Sequence, residues 1–177
     1  MLVIGIQGQG EREAARHAIR EAIVAELALV TNLPRGRIAL HTPEGQVPYA
    51  LLDTPAGQRR AHLAISHDGA LSLAAISLRS PVGIDVTLVL DIPDWEPVAR
   101  DYLGPPVTAA LAALPAPVRA HAFARAWSER EARLKYLGRE LVEWHLEGDR
   151  ALAACRCLPL ALPDGYAGIL ALPPLHA

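Results

Sequence analysis

Three short stretches concentrate the side chains able to act on a phosphate ester: ISHDG at 65–69, VGIDV at 82–86 and WSEREARLK at 127–135. In the last, Trp127, Glu131 and Lys135 stand four apart. On a helix the carboxylate and the ammonium then emerge on one flank, beside the apolar stripe of Phe123, Trp127, Leu134 and Leu137. Taken alone, such a pair is an ordinary surface contact worth ~0.2–0.5 kcal/mol. Two features argue for more. Lys135 is the only lysine in the chain, every other basic side chain among the 17 being arginine. Arg130 projects near the centre of the apolar stripe, where an unpaired buried charge would cost several kcal/mol.

Asp85 stands among Val82, Ile84, Val86 and Leu88, the pattern of an inner strand, and a buried acid usually pairs with a base or a metal. If Asp85 and Glu131 converge, they form a hard, oxygen-rich site suited to Mg²⁺, with its remaining positions open to substrate phosphates. Ser66 and His67 sit at a strand end. With no G-x-S-x-G elbow they are no hydrolase signature, but His67 and nearby backbone amides can cap a phosphate. Two carboxylates, a compact ammonium, an arginine and a histidine together suit a phosphate-ester or pyrophosphate substrate. No P-loop or G-x-G-x-x-G is present, so a nucleoside triphosphate held in the usual loop is not expected.

The elements that position these groups follow from periodicity. MLVIGIQ reads as a strand. The next twenty residues, with Ala15, Ile19, Ala22, Ile23 and Leu27 at helical spacing, read as a helix ending near TNLP. Arg12, Arg16 and Arg20 share another side of it, either a solvated basic face or one attracting an acidic partner. RIALH, PYALL, HLAIS and LSLAAIS read as strands, with a tight turn at HDG. PVGIDVTLVL is a further strand, and PDWEPVARDYLG and PPVTAALAAL are short helices started by proline. A long helix runs from about Ala116 to Leu137, stopped by Gly138. LVEWHLE, RALAACRCL and YAGILAL are read as closing strands.

At 177 residues, 51% hydrophobic and 20% charged, the chain reads as an ordinary globular protein able to bury a core without a staple. A net charge of -2 offers no basic field for nucleic acid. Cys155 and Cys157 are too close for an unstrained disulfide, and with no second pair they do not suggest zinc. No apolar run reaches membrane-spanning length and the start lacks a signal peptide's basic flank, so a soluble cytoplasmic protein is expected. VIGIQ at 3–7 and PVGID at 81–85 both run Gly-Ile-polar ahead of helices. They are either the trace of a duplication, with Gln7 standing where the second copy keeps Asp85, or two unrelated strands.

In order and spacing, LAISHDG, VGIDV and WSEREARLK resemble the motifs of the 4′-phosphopantetheinyl transferases, specifically the surfactin-synthetase-activating type. The resemblance covers roughly residues 45 to 172. It implies an α+β fold of two pseudo-twofold-related halves, here 1–80 and 81–177, with one site at their junction in a monomeric pseudodimer. It implies transfer of the phosphopantetheine arm of coenzyme A to a serine of an acyl or peptidyl carrier protein, releasing adenosine 3′,5′-bisphosphate. Asp85 and Glu131 would hold Mg²⁺, Glu131 would be the base for the carrier serine, and Lys135 would bind a pyrophosphate oxygen. His67 with Ser66 would bind the 3′-phosphate, Arg130 stands at the position of the motif's first lysine on the cofactor side, and Trp127 is packing.

The chain departs from the family pattern at two points. Thr87 stands where many relatives carry a glutamate, which implies weaker magnesium binding. Val47 lies near the position of a lysine, a contact that Arg37, Arg59 or Arg60 would replace. These departures motivate a rival reading, a non-catalytic relative binding coenzyme A or a carrier; a metal-dependent phosphoesterase is the more remote one. The carrier should present an acidic helix, for which Arg119 and Arg125 are candidate contacts.

Overall fold

The computed structural model describes residues 1–8, 12–43 and 45–175. β1 (Leu2–Gln7) and α1 (Arg12–Thr31) lead to β2 (Ile38–His41), β3 (Tyr49–Thr54), β4 (Gly57–Asp68) and β5 (Leu71–Ser77). These five strands form one antiparallel sheet in the order β1-β5-β4-β3-β2. Residues 78–82 carry the chain to β6 (Gly83–Leu88), followed by α2 (Trp95–Val98), a π-helical turn at Ala99–Leu103 and α3 (Pro105–Ala112). Next come α4 (Ala116–Leu137), α5 (Leu146–Leu152), β7 (Arg156–Pro159) and β8 (Tyr166–Leu172). The second sheet is antiparallel in the order β6-β8-β7. The fold is α+β, as expected.

Strand alternation decides how these elements stack. One face of the first sheet offers Leu52, Leu63, Ala74 and Ile76 to Ile19, Ile23 and Leu27 of α1. Each of those helix residues is almost fully buried, a gain of roughly 1.5–3 kcal/mol apiece over exposure. The other face offers Ala64, Leu71, Leu73 and Ala75 to Val82, Ile84, Val86, Leu170 and Leu172 of the second sheet. The far side of that sheet packs Ile169 and Ala171 against Ala132 of α4. The order of layers is therefore helix, sheet, sheet, helix, with β6 and its Asp85 between β4 and α4. Among the described residues no helix is long and apolar enough to cross a membrane.

Local chemistry explains the boundaries. α4 begins with proline in its first turn and stops at Gly138, whose φ of 64° is the left-handed cap glycine adopts without strain. The turn expected at HDG forms one step later: Asp68 still belongs to β4 and Gly69, at φ 53°, makes the bend. β4 also begins at Gly57, well before HLAIS, because Gln58, Arg59 and Arg60 pair across to β3.

Two expected strands are corrected. LVEWHLE at 141–147 is irregular as far as His145 and then enters α5. Its backbone groups are claimed elsewhere: the Val142 carbonyl accepts from Arg130 Nη2 at 3.1 Å, and the Trp144 amide donates to the Asp101 carbonyl at 2.7 Å. His145 then caps the helix, its Nδ1 accepting from the Gly148 amide at 3.0 Å, with Glu147 and Asp149 at the positive end of the dipole. RALAACRCL is correspondingly helical through Leu152, and only Arg156–Pro159 pairs with β8.

Candidate functional site

Gly83, Asp85 and Thr87 face α4 on successive inward positions of β6. At Gly83 the helix comes so close that a Cβ would stand 1.9 Å from the carbonyl oxygen of Ala132, so only glycine permits the approach. That approach places Lys135 over Asp85: Nζ donates to Oδ1 at 2.7 Å and to Ser66 Oγ at 3.1 Å. Ser66 itself donates to Asp85 Oδ1 at 2.7 Å and accepts from the Val86 amide at 3.3 Å. The other carboxylate oxygen, Oδ2, accepts from Thr87 Oγ1 at 3.2 Å, and Thr87 shares a 2.7 Å hydrogen bond with Ser128 of α4. Ser128 Oγ also donates to the Ala167 carbonyl at 3.3 Å, so the two hydroxyl protons are shared among Ala167, Asp85 and the Ser128–Thr87 bond. Asp85 is thus a buried acid, 5% exposed, with an ammonium and two hydroxyls as donors.

Glu131 lies close enough to feel both groups. Burial pushes its pKa up; the Lys135 ammonium opposes the rise, the Asp85 carboxylate adds to it and Arg130 opposes it. It is a half-buried carboxylate disposed to take up a proton more readily than an ordinary glutamate. Among the described residues no three His, Cys, Asp or Glu side chains gather around a common point that could hold a metal. Two carboxylates are nevertheless the kind of donor set from which Mg²⁺ is held when substrate oxygens and water complete the shell.

Ser66 and His67 are neighbours in β4 and therefore face opposite ways. Ser66 is committed to Asp85, whereas His67 points toward α1. His67 Nδ1 is 2.7 Å from Ser72 Oγ, and the ring lines a cleft of about 510 Å³ with Arg16, Arg20, Thr42, Gln46 and Pro48. Burial lowers the His67 pKa, and Arg16, Lys135 and Arg12 lower it further. Arg16 and Arg20 of the α1 row thus face the same cleft as the His67 ring of β4. Helical periodicity defines the row; only the docking of α1 on the sheet shows what it faces.

Arg130 is not brought to the cluster. It is buried, with Nη2 on the Val142 carbonyl, Nη1 4.0 Å from Asp149 and Nε without a partner among the described residues, which ties α4 to α5 and the segment before it. Trp127 stacks on Phe123 and meets Tyr102 edge-on, as packing. Val47 lines a second cavity of about 240 Å³ with Pro48, Ala64, Lys135, Arg139 and Glu140. Of the arginines considered as replacements for a lost lysine, Arg37 lies 4.0 Å from Asp53 and Arg60 covers the Tyr49 ring. Arg119 is spent on the Leu111 and Leu114 carbonyls and on the face of Trp95, while Arg125 is exposed beside an open groove between α3 and α4.

Ser128 and Asp68 escaped the sequence reading, and Thr87 entered it only as the place of a missing glutamate. Ser128 and Thr87 orient Asp85, and Asp68 Oδ2 accepts from the Leu88 amide at 2.7 Å, fastening β4 to β6. Asp68 and Ser66 stand two apart on one strand face, which is the signal that could have found them. Cys155 and Cys157 remain free thiols.

Residues 81–156 match the family model of the 4′-phosphopantetheinyl transferase superfamily, a span from just before β6 through α4 to the first residue of β7. No curated protein matches the chain.

Proposed function

We propose that this chain is a Mg²⁺-dependent phosphopantetheinyl transferase of the surfactin-synthetase-activating type. It moves the arm of coenzyme A to a serine of an acidic acyl or peptidyl carrier protein. The observation that carries the reading is the ion pair of Lys135 on α4 with Asp85 on β6, with Glu131 one helical turn before Lys135, inside the span that matches the superfamily model. The working form is read as a cytoplasmic monomer.

Asp85 and Glu131 would hold the cation, which when bound neutralises charge on the pyrophosphate oxygens and the leaving group. Lys135 offers a compact positive charge with freely aimed donors to a pyrophosphate oxygen. The carrier serine oxygen forms a bond to the pantetheine-side phosphorus, the bond from that phosphorus to the departing nucleotide breaks, and the serine proton passes to Glu131, directly or through water. A glutamate whose pKa is raised by burial is a better proton acceptor than an ordinary one. Because the Ser66 hydroxyl is directed into Asp85, the 3′-phosphate falls to His67 with Arg16 and Arg20 along the cleft.

The test is intact-mass spectrometry of apo carrier proteins incubated with this protein, coenzyme A and Mg²⁺, with Glu131→Gln alongside. The expected result is a phosphopantetheine-sized gain on a carrier, strongly reduced with the variant. Coenzyme A binding without any gain would overturn transfer in favour of a non-catalytic relative. Hydrolysis of coenzyme A with no acceptor would favour a phosphoesterase.

A further inference from the structure

Asp85 is held by partners of two kinds. Ser66 and Thr87 are short hydroxyls on strands, and Thr87 is backed by Ser128, which is completely buried, so none of the three can leave without moving a sheet or α4. Lys135 instead reaches the carboxylate on a four-carbon stem, with 29% of its side chain exposed against 7% for Asp85. The same side chain lines the cavity of about 240 Å³ beside Val47, Pro48 and Arg139. The ammonium neutralises the buried acid in the free chain, yet has open space next to it.

We propose that Lys135 is the exchangeable counter-ion of Asp85: a divalent cation arriving at Asp85 and Glu131 displaces the ammonium, which turns to the anionic substrate beside it. The inference rests on the transferase reading for the identity of cation and substrate. An ammonium and a dication in contact with the same carboxylate oxygen repel each other, so the more mobile one moves. Substrate phosphates then receive the released charge, and cation and substrate each tighten the binding of the other by reciprocity. Ser66, Thr87 and Ser128 are positioning residues that keep the carboxylate still during the exchange. A lysine suits this role because a point charge on a flexible stem changes partners, whereas the planar fork of arginine would clamp a carboxylate with two parallel bonds.

As the only lysine, Lys135 can be watched directly. The untagged full chain grown with lysine labelled at Cε and Nζ gives one side-chain resonance, followed while Mg²⁺ is added in the absence of coenzyme A. The expected result is a saturable movement toward the position and linewidth of a solvent-mobile lysine, with Asp85→Asn showing that state before any cation is added. Lys135→Met should also bind Mn²⁺ alone more tightly than the parent, by roughly 5–150-fold. A resonance unmoved throughout the titration, or Mn²⁺ affinity equal or weaker in Lys135→Met, overturns the exchange. An unmoved resonance in a chain that does modify a carrier sinks the exchange and leaves transfer standing. Saturable movement in a chain that modifies no carrier does the reverse.

Discussion

Gly83 and Ala132 touch backbone to backbone: a Cβ on the glycine would lie 1.9 Å from the Ala132 carbonyl oxygen and 2.7 Å from the Tyr136 amide nitrogen. Both obstructing atoms are main chain, so no rotamer change relieves the clash. The contact sets the spacing between β6 and α4, and with it the reach of Lys135 to Asp85. Gly83→Ala should therefore cost about 1–3 kcal/mol as overpacking, a fall of several degrees in Tm. It should also reduce transfer by more than the unfolded fraction explains. Gly36→Ala, which adds a methyl into open space, is the control and should leave both unchanged. Thermal melts and initial rates on the two variants decide the matter.

Glu131→Gln should separate stability from activity. Burial raises the Glu131 pKa, so this residue favours the folded state most at low pH and loses that contribution as pH rises through its folded value. At neutral pH the glutamate is held as a charge the site disfavours, and a neutral amide removes that cost. Its Tm should equal or exceed the parent's, with a difference that grows as pH rises above the ordinary glutamate range and levels off beyond the raised folded value, while transfer falls roughly 10²–10⁴-fold. A Tm that drops at neutral pH would show that Glu131 is held by contacts rather than strained by burial.

What could be read from the sequence and what could not divide along a physical line. α4 from Ala116 to Leu137 and the core of each long strand follow from local rules: proline in a first turn, glycine at the end, short apolar runs bounded by turn residues. The segment 141–155 did not follow, because it pairs with no strand; the Val142 carbonyl and the Trp144 amide are claimed by Arg130 and Asp101, partners set by tertiary packing. The same distinction runs through the site. Asp85, Glu131 and Lys135 were visible as residue types in suggestive places, but Ser128 and Thr87 meet only because α4 crosses β6. Ser66 and His67 read as a pair because they adjoin, and a strand sends adjacent side chains to opposite faces.

The cleft beneath α1 yields the third prediction. If His67, Arg16 and Arg20 receive the 3′-phosphate, Arg16→Ala and Arg20→Ala should each weaken coenzyme A binding by roughly 10–100-fold, the value of a charge-assisted hydrogen bond. Dephospho-coenzyme A, which lacks that group, should bind the parent more weakly and be almost indifferent to either change. Calorimetric titration with both ligands is the measurement. Equal losses for the two would place the arginines on another part of the nucleotide.

The two cysteines should be chemically quiet. Cys155 is buried and its pKa is pushed up by burial, while burial carries Cys157 up to about 12, with Arg133 opposing both rises. At pH about 8 neither supplies appreciable thiolate, the reactive form. Alkylation by iodoacetamide should proceed far more slowly in the native chain than after unfolding, by intact mass. Rapid native labelling of either would mean that the turn after α5 opens.

Two arginines of the α4 region should respond in opposite ways. Arg119 satisfies the Leu111 and Leu114 carbonyls and lies 4.8 Å from the centre of the Trp95 ring. Arg119→Ala removes the donor to the Leu114 carbonyl and that stacking, and leaves the Leu111 carbonyl with the Leu114 amide at 3.1 Å, so Tm should fall by an amount corresponding to about 1–3 kcal/mol. Arg125 has no such duty; it is exposed at the rim of the groove between α3 and α4. Arg125→Glu should change stability by no more than about 0.5 kcal/mol. If an acidic carrier docks there, the reversal slows carrier modification, steepens the loss at low salt and leaves coenzyme A affinity untouched, because steering by charge acts on encounter. Rates unchanged across ionic strength would move the docking surface away from this groove.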